Sequence, residues 1–219
     1  MLNLPSTRGM EKPSPAASVQ AREAIQSDWR TALPVLAANG VTLRELRASD
    51  APSLLAMLTT EEVARFISPP PTTVEGFDQF IAWTRRQQTE GKYVCFGVVP
   101  AGRTDAVGII QVRALDTEFG LAEWGFAIGS AFWGTGIFQA AARRVVDFAF
   151  ETLPVHRLEA RAVVQNGRGN GALQKLGASC EAVLRQSFRR DGVRMDQMLW
   201  SIVRGEWIVG HVQPRSRIH

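Results

Sequence analysis

Two glycines one residue apart stand in the run Trp133-Gly134-Thr135-Gly136-Ile137-Phe138, between an aromatic-rich stretch and the start of a helical pattern. A helix amino terminus presents unpaired N–H groups and a partial positive charge, a combination that binds phosphate. Glycines there leave no side chain to hold an anion off the backbone. The neighbouring residues narrow the choice of phosphate. A Walker loop places Lys and then Ser or Thr after its second glycine, where Ile137 and Phe138 stand. A dinucleotide fingerprint requires a third glycine, where Gln139 stands, and follows the first strand of a parallel unit. Neither nucleotide pattern fits a loop that falls halfway along the chain. For the loop taken alone, a tight turn without a ligand is the alternative.

Other chemistries are poorly represented. Cys95 and Cys180 sit in unrelated contexts, suggest neither a disulfide nor a metal site, and read as buried strand thiols. His156, His211 and His219 show no ligand spacing, so no metal is expected. The formal charge of +4 comes from scattered arginines, which suit a solvated basic surface better than a nucleic-acid face. With 45% hydrophobic and 21% charged residues the composition is that of a soluble globular protein. No apolar run approaches the roughly 18 residues of a membrane span. The first residues lack a signal-peptide core, so a cytoplasmic location is expected, with neither nucleic acid nor membrane as partner.

The elements that must position the loop follow from periodicity. Residues 1–20 are rich in Pro, Ser and Ala and read as a mobile tail. Residues 21–40 read as an accessory helical extension, broken near Pro34. "VTLREL" alternates as a first strand, "SLLAMLTTEEVARFI" carries helical spacing, and Thr73 can cap the next helix, where Phe77, Phe80, Ile81 and Thr84 form one stripe. Residues 93–99 and 106–115 pair as a hairpin, with 121–129 as a third strand beside them. A helix of about fifteen residues follows Gly136. A strand over 156–164, a short helix ending at Gly177, and a hairpin around Asp191-Gly192 complete the order. This is a mixed α/β (α+β) arrangement, built on a mostly antiparallel sheet of about six to seven strands flanked by helices.

In this order of elements, the glycine run together with "VTLRELRASDAPSLLAML", "EEVARFISPPP", "HRLEARAVVQNGRGNGALQKLGA" and "DQMLWSIVRGEW" resembles the GNAT N-acetyltransferase superfamily. The likeness is greatest to its branch of ribosomal-protein N-terminal acetyltransferases. It covers roughly residues 40–207, so that 41–207 reads as the GNAT-like domain and 208–219 as a carboxy-terminal tail. The resemblance implies acetyl-coenzyme A as co-substrate, with its pyrophosphate on the backbone of Trp133, Gly134, Thr135, Gly136, Ile137, Phe138 and Gln139. It implies two strands splayed apart, the pantetheine arm inserted between them against the backbone of Phe126, Ala127 and Ile128. Asn166 matches the family's asparagine on the far side of the arm, and Asn170 lies one helical turn later.

Acetyl transfer to an amine requires a neutral nucleophile, stabilisation of an oxyanion and a proton for the departing thiolate. Alternation along residues 121–129 puts Glu123 beside Gly125 and Ala127 on the face opposite Trp124 and Phe126, an open slot that suits a general base. The backbone N–H of Ile128 is the expected oxyanion donor. No acid stands out. Where many relatives carry tyrosine, the neighbouring position here is Leu173; Gly169 replaces a common serine, and Phe138 a small residue. Tyr93, the chain's one tyrosine, reads as core, His156 as a packing residue, and the aromatics of "FDQFIAW" as core before acceptor pocket. The basic hairpin "RQSFRRDGVR" reads as solvated, with an acidic acceptor or the adenosine 3′-phosphate as alternatives. The expected reaction is therefore acetyl transfer from acetyl-coenzyme A to a primary amine, with a protein or peptide amino terminus as favoured acceptor and a monomer or homodimer as the assembly. A small amine as acceptor (amino acid, polyamine or aminoglycoside) and a non-catalytic acyl-coenzyme A-binding module are the rival expectations.

Overall fold

A computed structural model of the chain describes residues 28–207. In chain order the elements are β1 (Leu36–Ala38), β2 (Val41–Glu45), α1 (Ala51–Leu58), α2 (Glu61–Ala64), α3 (Val74–Thr89), β3 (Tyr93–Pro100), β4 (Gly108–Ala114), β5 (Leu121–Ile128), α4 (Ile137–Glu151), β6 (Arg157–Val163), α5 (Gly167–Leu176), β7 (Ser179–Arg190) and β8 (Val193–Val203). The eight strands form one sheet in the order β1-β2-β3-β4-β5-β6-β8-β7. Every neighbouring pair is antiparallel except β5 and β6.

Helices cover both faces. The side chains of Val94, Phe96 and Val98 enter the core beneath α4, where Ala142, Val145, Val146 and Ala149 are fully buried. Those of Tyr93, Cys95 and Val99 enter a second core with Leu54 of α1 and with Phe77 and Ile81 of α3. A strand buried on both faces loses its polar alternation, which is why "YVCFGVV" reads as a continuous apolar run. Thr73 caps α3 by accepting the Gly76 N–H at 3.0 Å. The segment expected as one helix over residues 53–67 is broken at Thr59-Thr60: the Thr59 hydroxyl donates to the Leu55 carbonyl at 2.7 Å, and Thr60 turns extended.

The helical extension expected over residues 21–40 is not what the described part forms. Residues 29–31 make a turn and β1 adds an edge strand, Leu36 opposite Leu43, which brings the sheet to eight strands. Burial overrides helical periodicity here, since Trp29 and Leu33 insert into the α4-side core and Trp29 meets Phe119 edge-on at 5.7 Å. Pro34 favours an extended residue before it. Residues 21–27, like the expected tails at 1–20 and 208–219, lie outside the described residues. Cys95 is buried as expected, but Cys180 is exposed near the start of edge strand β7, whose residues 179–183 all face solvent.

A buried ion pair fixes the turn before α1. Both carboxylate oxygens of Asp50 accept from the Arg44 guanidinium at 2.8 Å, and they also accept the N–H groups of Arg47 and Ala106. Burial alone would raise the Asp50 pKa, but Arg44 and the two backbone donors outweigh it and hold the carboxyl below its ordinary value.

Candidate active site

Strands β5 and β6 pair over three residues only, Leu121 with Arg157, Ala122 with Leu158 and Glu123 with Glu159. Beyond Glu123 they part: β5 continues along β4 to Ile128, and β6 along β8 to Val163. The Leu115 N–H bonds to the Leu121 carbonyl and the Gly129 N–H to the Val107 carbonyl. With this register the backbone groups of odd-numbered β5 residues face β4, and those of Trp124, Phe126 and Ile128 face the opening. Ala127, expected to contact a ligand through its backbone, is instead opposite Ile109 in the β4 ladder.

A cavity of about 770 Å³ fills the opening and continues to the glycine run. Gly134 and Gly136 have φ of +77° and +85°, and a Cβ at either would meet nothing within 4 Å. L side chains avoid such φ, so glycine is required by conformation as well as by the space left for a ligand. Gly136 is the N-cap of α4 and supplies no side-chain cap, which leaves the first N–H groups of the helix without a side-chain acceptor. Thr135 donates to the Phe132 carbonyl at 2.7 Å, and the Gln139 amide donates to the Ala172 carbonyl of α5 at 2.8 Å. Phe138, the bulky residue in the loop, packs on Phe126 with ring centroids 4.2 Å apart.

The opposite wall is α5. Arg168, Gly171, Ala172 and Lys175 line the cavity at helical spacing, two small residues between two cations. The Arg168 guanidinium lies 4.5 Å from the centre of the Trp133 ring, so a cation–π contact joins the two walls. Neither cation stood out in the sequence, because "NGRGNG" reads as a loop; Asn166 makes it helical by capping, its Oδ1 accepting the Gly169 N–H at 2.9 Å. A Cβ on Gly169 would sit 2.5 Å from the side-chain amide of Asn166. Asn170 does not line this cavity. It is buried, donating to the Val163 carbonyl at 3.0 Å and accepting from the Trp200 indole at 2.9 Å, and so ties α5 to β6 and β8.

A second space, a cleft of about 640 Å³, lies on the α1 and α3 side of the sheet. Phe66, Ile67, Phe126, Ala127, Asn166 and Gly169 line both spaces and form the seam between them. Glu123 lies in the cleft, its side chain 22% exposed; Oε2 is paired with Arg113 directly across the β4 ladder, and Oε1 makes a longer 3.9 Å contact with Arg161 of β6. Phe80 packs against the second core as expected while Trp83, also expected as core, is exposed; both line the cleft with Phe77 and Tyr93 as a chain of ring contacts, Trp83 lying 4.9 Å from Tyr93. Tyr93 donates its hydroxyl to Gln111, and burial pushes its pKa up. Leu173 is buried among core residues, and His156 is exposed at the end where β6 begins. The hairpin over residues 185–194 is largely exposed, as expected, apart from Phe188, which lines the cleft, and Arg190, which donates to the carbonyls of Ala64 and Ile67 at 3.0 Å each.

The structure does not bring the two expected catalytic groups to one point. Five residue steps along the strand separate Glu123 from Ile128, about 16 Å at roughly 3.3 Å per step. Ile128 lines the cavity only, its carbonyl accepting from the Trp133 indole at 2.8 Å, whereas Phe126 sits on the seam. Among the described residues no group of three or more His, Cys, Asp or Glu could hold a metal ion, and no helix is long and apolar enough to cross a membrane.

Residues 41–179 match the family described as the acetyltransferase (GNAT) domain. The uncharacterized N-acetyltransferase p20 of Bacillus licheniformis is 26% identical over 168 residues, which span 76% of this chain and 94% of that protein. The ribosomal-protein-S5-alanine acetyltransferase of Vibrio fischeri shares the fold, with a TM-score of 0.71 at 19% identity, over 80% of this chain and 98% of that one. RimJ of Mycobacterium smegmatis, solved with CoA-disulfide, has a TM-score of 0.70 at 22% identity, over 79% and 87% of the two chains.

Proposed function

The chain belongs to the GNAT acetyltransferase family and is an acetyl-coenzyme A-dependent acetyltransferase, and from that premise we propose that its acceptor is the α-amino group of a protein or peptide amino terminus. The observation that carries this reading is the seam. A cavity with a glycine-lined helix terminus and a cleft with a carboxylate meet at Phe126, where β5 has left β6. The name of the V. fischeri protein, which shares the fold, supports the same class of acceptor.

The cavity suits the co-substrate residue by residue. Gly134 to Gln139 receive the pyrophosphate on uncapped N–H groups, with Trp133 and Arg168 closing over it. The Phe126 carbonyl and the Ile128 N–H pair with the pantetheine arm along the strand edge, and Asn166 lies at the seam. Acetyl-coenzyme A would supply the activated thioester, with coenzyme A as the leaving thiolate. Phe126 N–H, which faces the opening where the two spaces meet, holds the developing oxyanion; Ile128 lies deeper and positions the arm. Glu123 receives the acceptor's proton through water, its Oε1 being the oxygen with only the long Arg161 contact. An α-amine, with a pKa near 7.7–8.0, is already partly neutral at physiological pH and needs less help than lysine at about 10.4.

Thiol release from acetyl-coenzyme A separates the acceptors. Peptides with free amino termini turn over, and the same peptides blocked at the terminus but carrying a lysine do not. Turnover only on lysine or on polyamines overturns the reading. Glu123→Gln lowers kcat by about 100-fold for a general base, with coenzyme A affinity unchanged; full activity in that variant removes Glu123 from the chemistry.

A further inference from the structure

We infer that the cleft selects acceptors with an acidic side chain close to the reacting amine, an inference that rests on the amino-terminal reading above. The argument is one of charge. Among the described residues, Glu123 is the one carboxylate lining the cleft, and two guanidiniums, Arg113 and Arg161, line it with Glu123 between them. Both find their ion pair in Glu123 alone among the described residues, and their side chains are 54% and 39% exposed. The cleft therefore carries one positive charge in excess beside the group that handles the acceptor's amine.

Arg161 is the weaker partner, 3.9 Å from Glu123 Oε1 and free to offer its remaining donors to an incoming carboxylate. It stands on β6, on the face opposite the buried Ala160 and Ala162, and three strands along the sheet from Tyr93, which forms the aromatic wall of the cleft with Phe80 and Trp83. An acceptor lying between them meets rings on one side and a guanidinium on the other. A peptide with an apolar first residue and an aspartate or glutamate second satisfies both walls. Polyamines and aminoglycosides meet the wrong sign of charge.

The test compares kcat/KM on three peptides that begin with Phe and differ only in the second residue, Asp, Asn or Lys. The Asp peptide is favoured over the Asn peptide by about tenfold, as expected for one charge-assisted hydrogen bond in a part-exposed cleft, and the Lys peptide is poorest. Arg161→Gln brings Asp and Asn to parity, and Arg161→Glu inverts the order of Asp and Lys. Each comparison is a ratio within one variant, so a general loss of activity or stability cancels. Equal turnover of all three peptides by the unmodified enzyme overturns the charge selection and leaves the amino-terminal reading intact. A preference for Asp that survives Arg161→Gln also overturns the assignment to this arginine. No turnover of any of the peptides, with small amines accepted, overturns the amino-terminal reading and the inference with it.

Discussion

The indole N–H of Trp133 donates to the carbonyl of Ile128 at 2.8 Å, so the loop that carries Gly134 and Gly136 is pinned to the last residue of β5. The same ring carries the Arg168 guanidinium on its face. Trp133 thus sets the distance between the glycine loop and β5, the strand proposed to hold the pantetheine arm. Trp133→Phe keeps an aromatic face for Arg168 but removes the donor. The expected outcome is a severalfold rise in KM for acetyl-coenzyme A with kcat little changed, and a loss of about 1 kcal/mol of stability for one hydrogen bond. Steady-state kinetics and urea denaturation measure the two effects separately.

Gly136→Ala tests the loop by conformation. Its φ of +85° is strained for alanine by about 1–2 kcal/mol, and a Cβ would enter the space above the first turn of α4. Coenzyme A affinity, measured by calorimetry, falls at least tenfold. Gly102→Ala imposes similar strain at φ +80° in a turn that lines neither space, and it leaves that affinity unchanged.

The Arg44–Asp50 pair makes a prediction about pH. The Asp50 pKa is lowered in the folded chain, so its contribution to stability is fully present above the unfolded value of about 3.9 and is lost as pH falls below it. Asp50→Asn breaks a buried pair and costs about 3–5 kcal/mol at neutral pH. The variant also loses this part of the acid sensitivity, so its deficit relative to the unmodified protein narrows as pH falls below about 4. Denaturation midpoints measured between neutral and acid pH check the sign; a deficit that widened in acid would refute it.

Local signals carried most of the fold. Thr73 caps α3 through a bond to the third residue on, Gly136 takes the left-handed N-cap of α4, and Asp191-Gly192 turns with positive φ at both positions; each depends only on its neighbours in sequence. What escaped depends on partners far along the chain. Residues 29–38 look helical until Trp29 finds Phe119 and Leu36 finds Leu43. Asn170 looks like a second ligand contact until Trp200 and Val163 occupy its amide. The glycine loop and Glu123 could be picked out by residue type and Asn166 by family resemblance, and all three line the cavity or the cleft. Arg161 was not, since one arginine in an alternating strand carries no mark of the cleft that it enters.

The seam at Phe126 also bears on kinetic order. The cavity and the cleft proposed for the two substrates share six lining residues, so in that arrangement neither substrate must leave before the other binds. No cysteine lines either space, and Tyr93 has its hydroxyl committed to Gln111, so these side chains offer no carrier for the acetyl group between two half-reactions. The proposed arrangement predicts transfer through a ternary complex. Initial-rate plots against acetyl-coenzyme A at several fixed peptide concentrations intersect, and parallel lines, the mark of an acylated enzyme released from its first product, would contradict the arrangement.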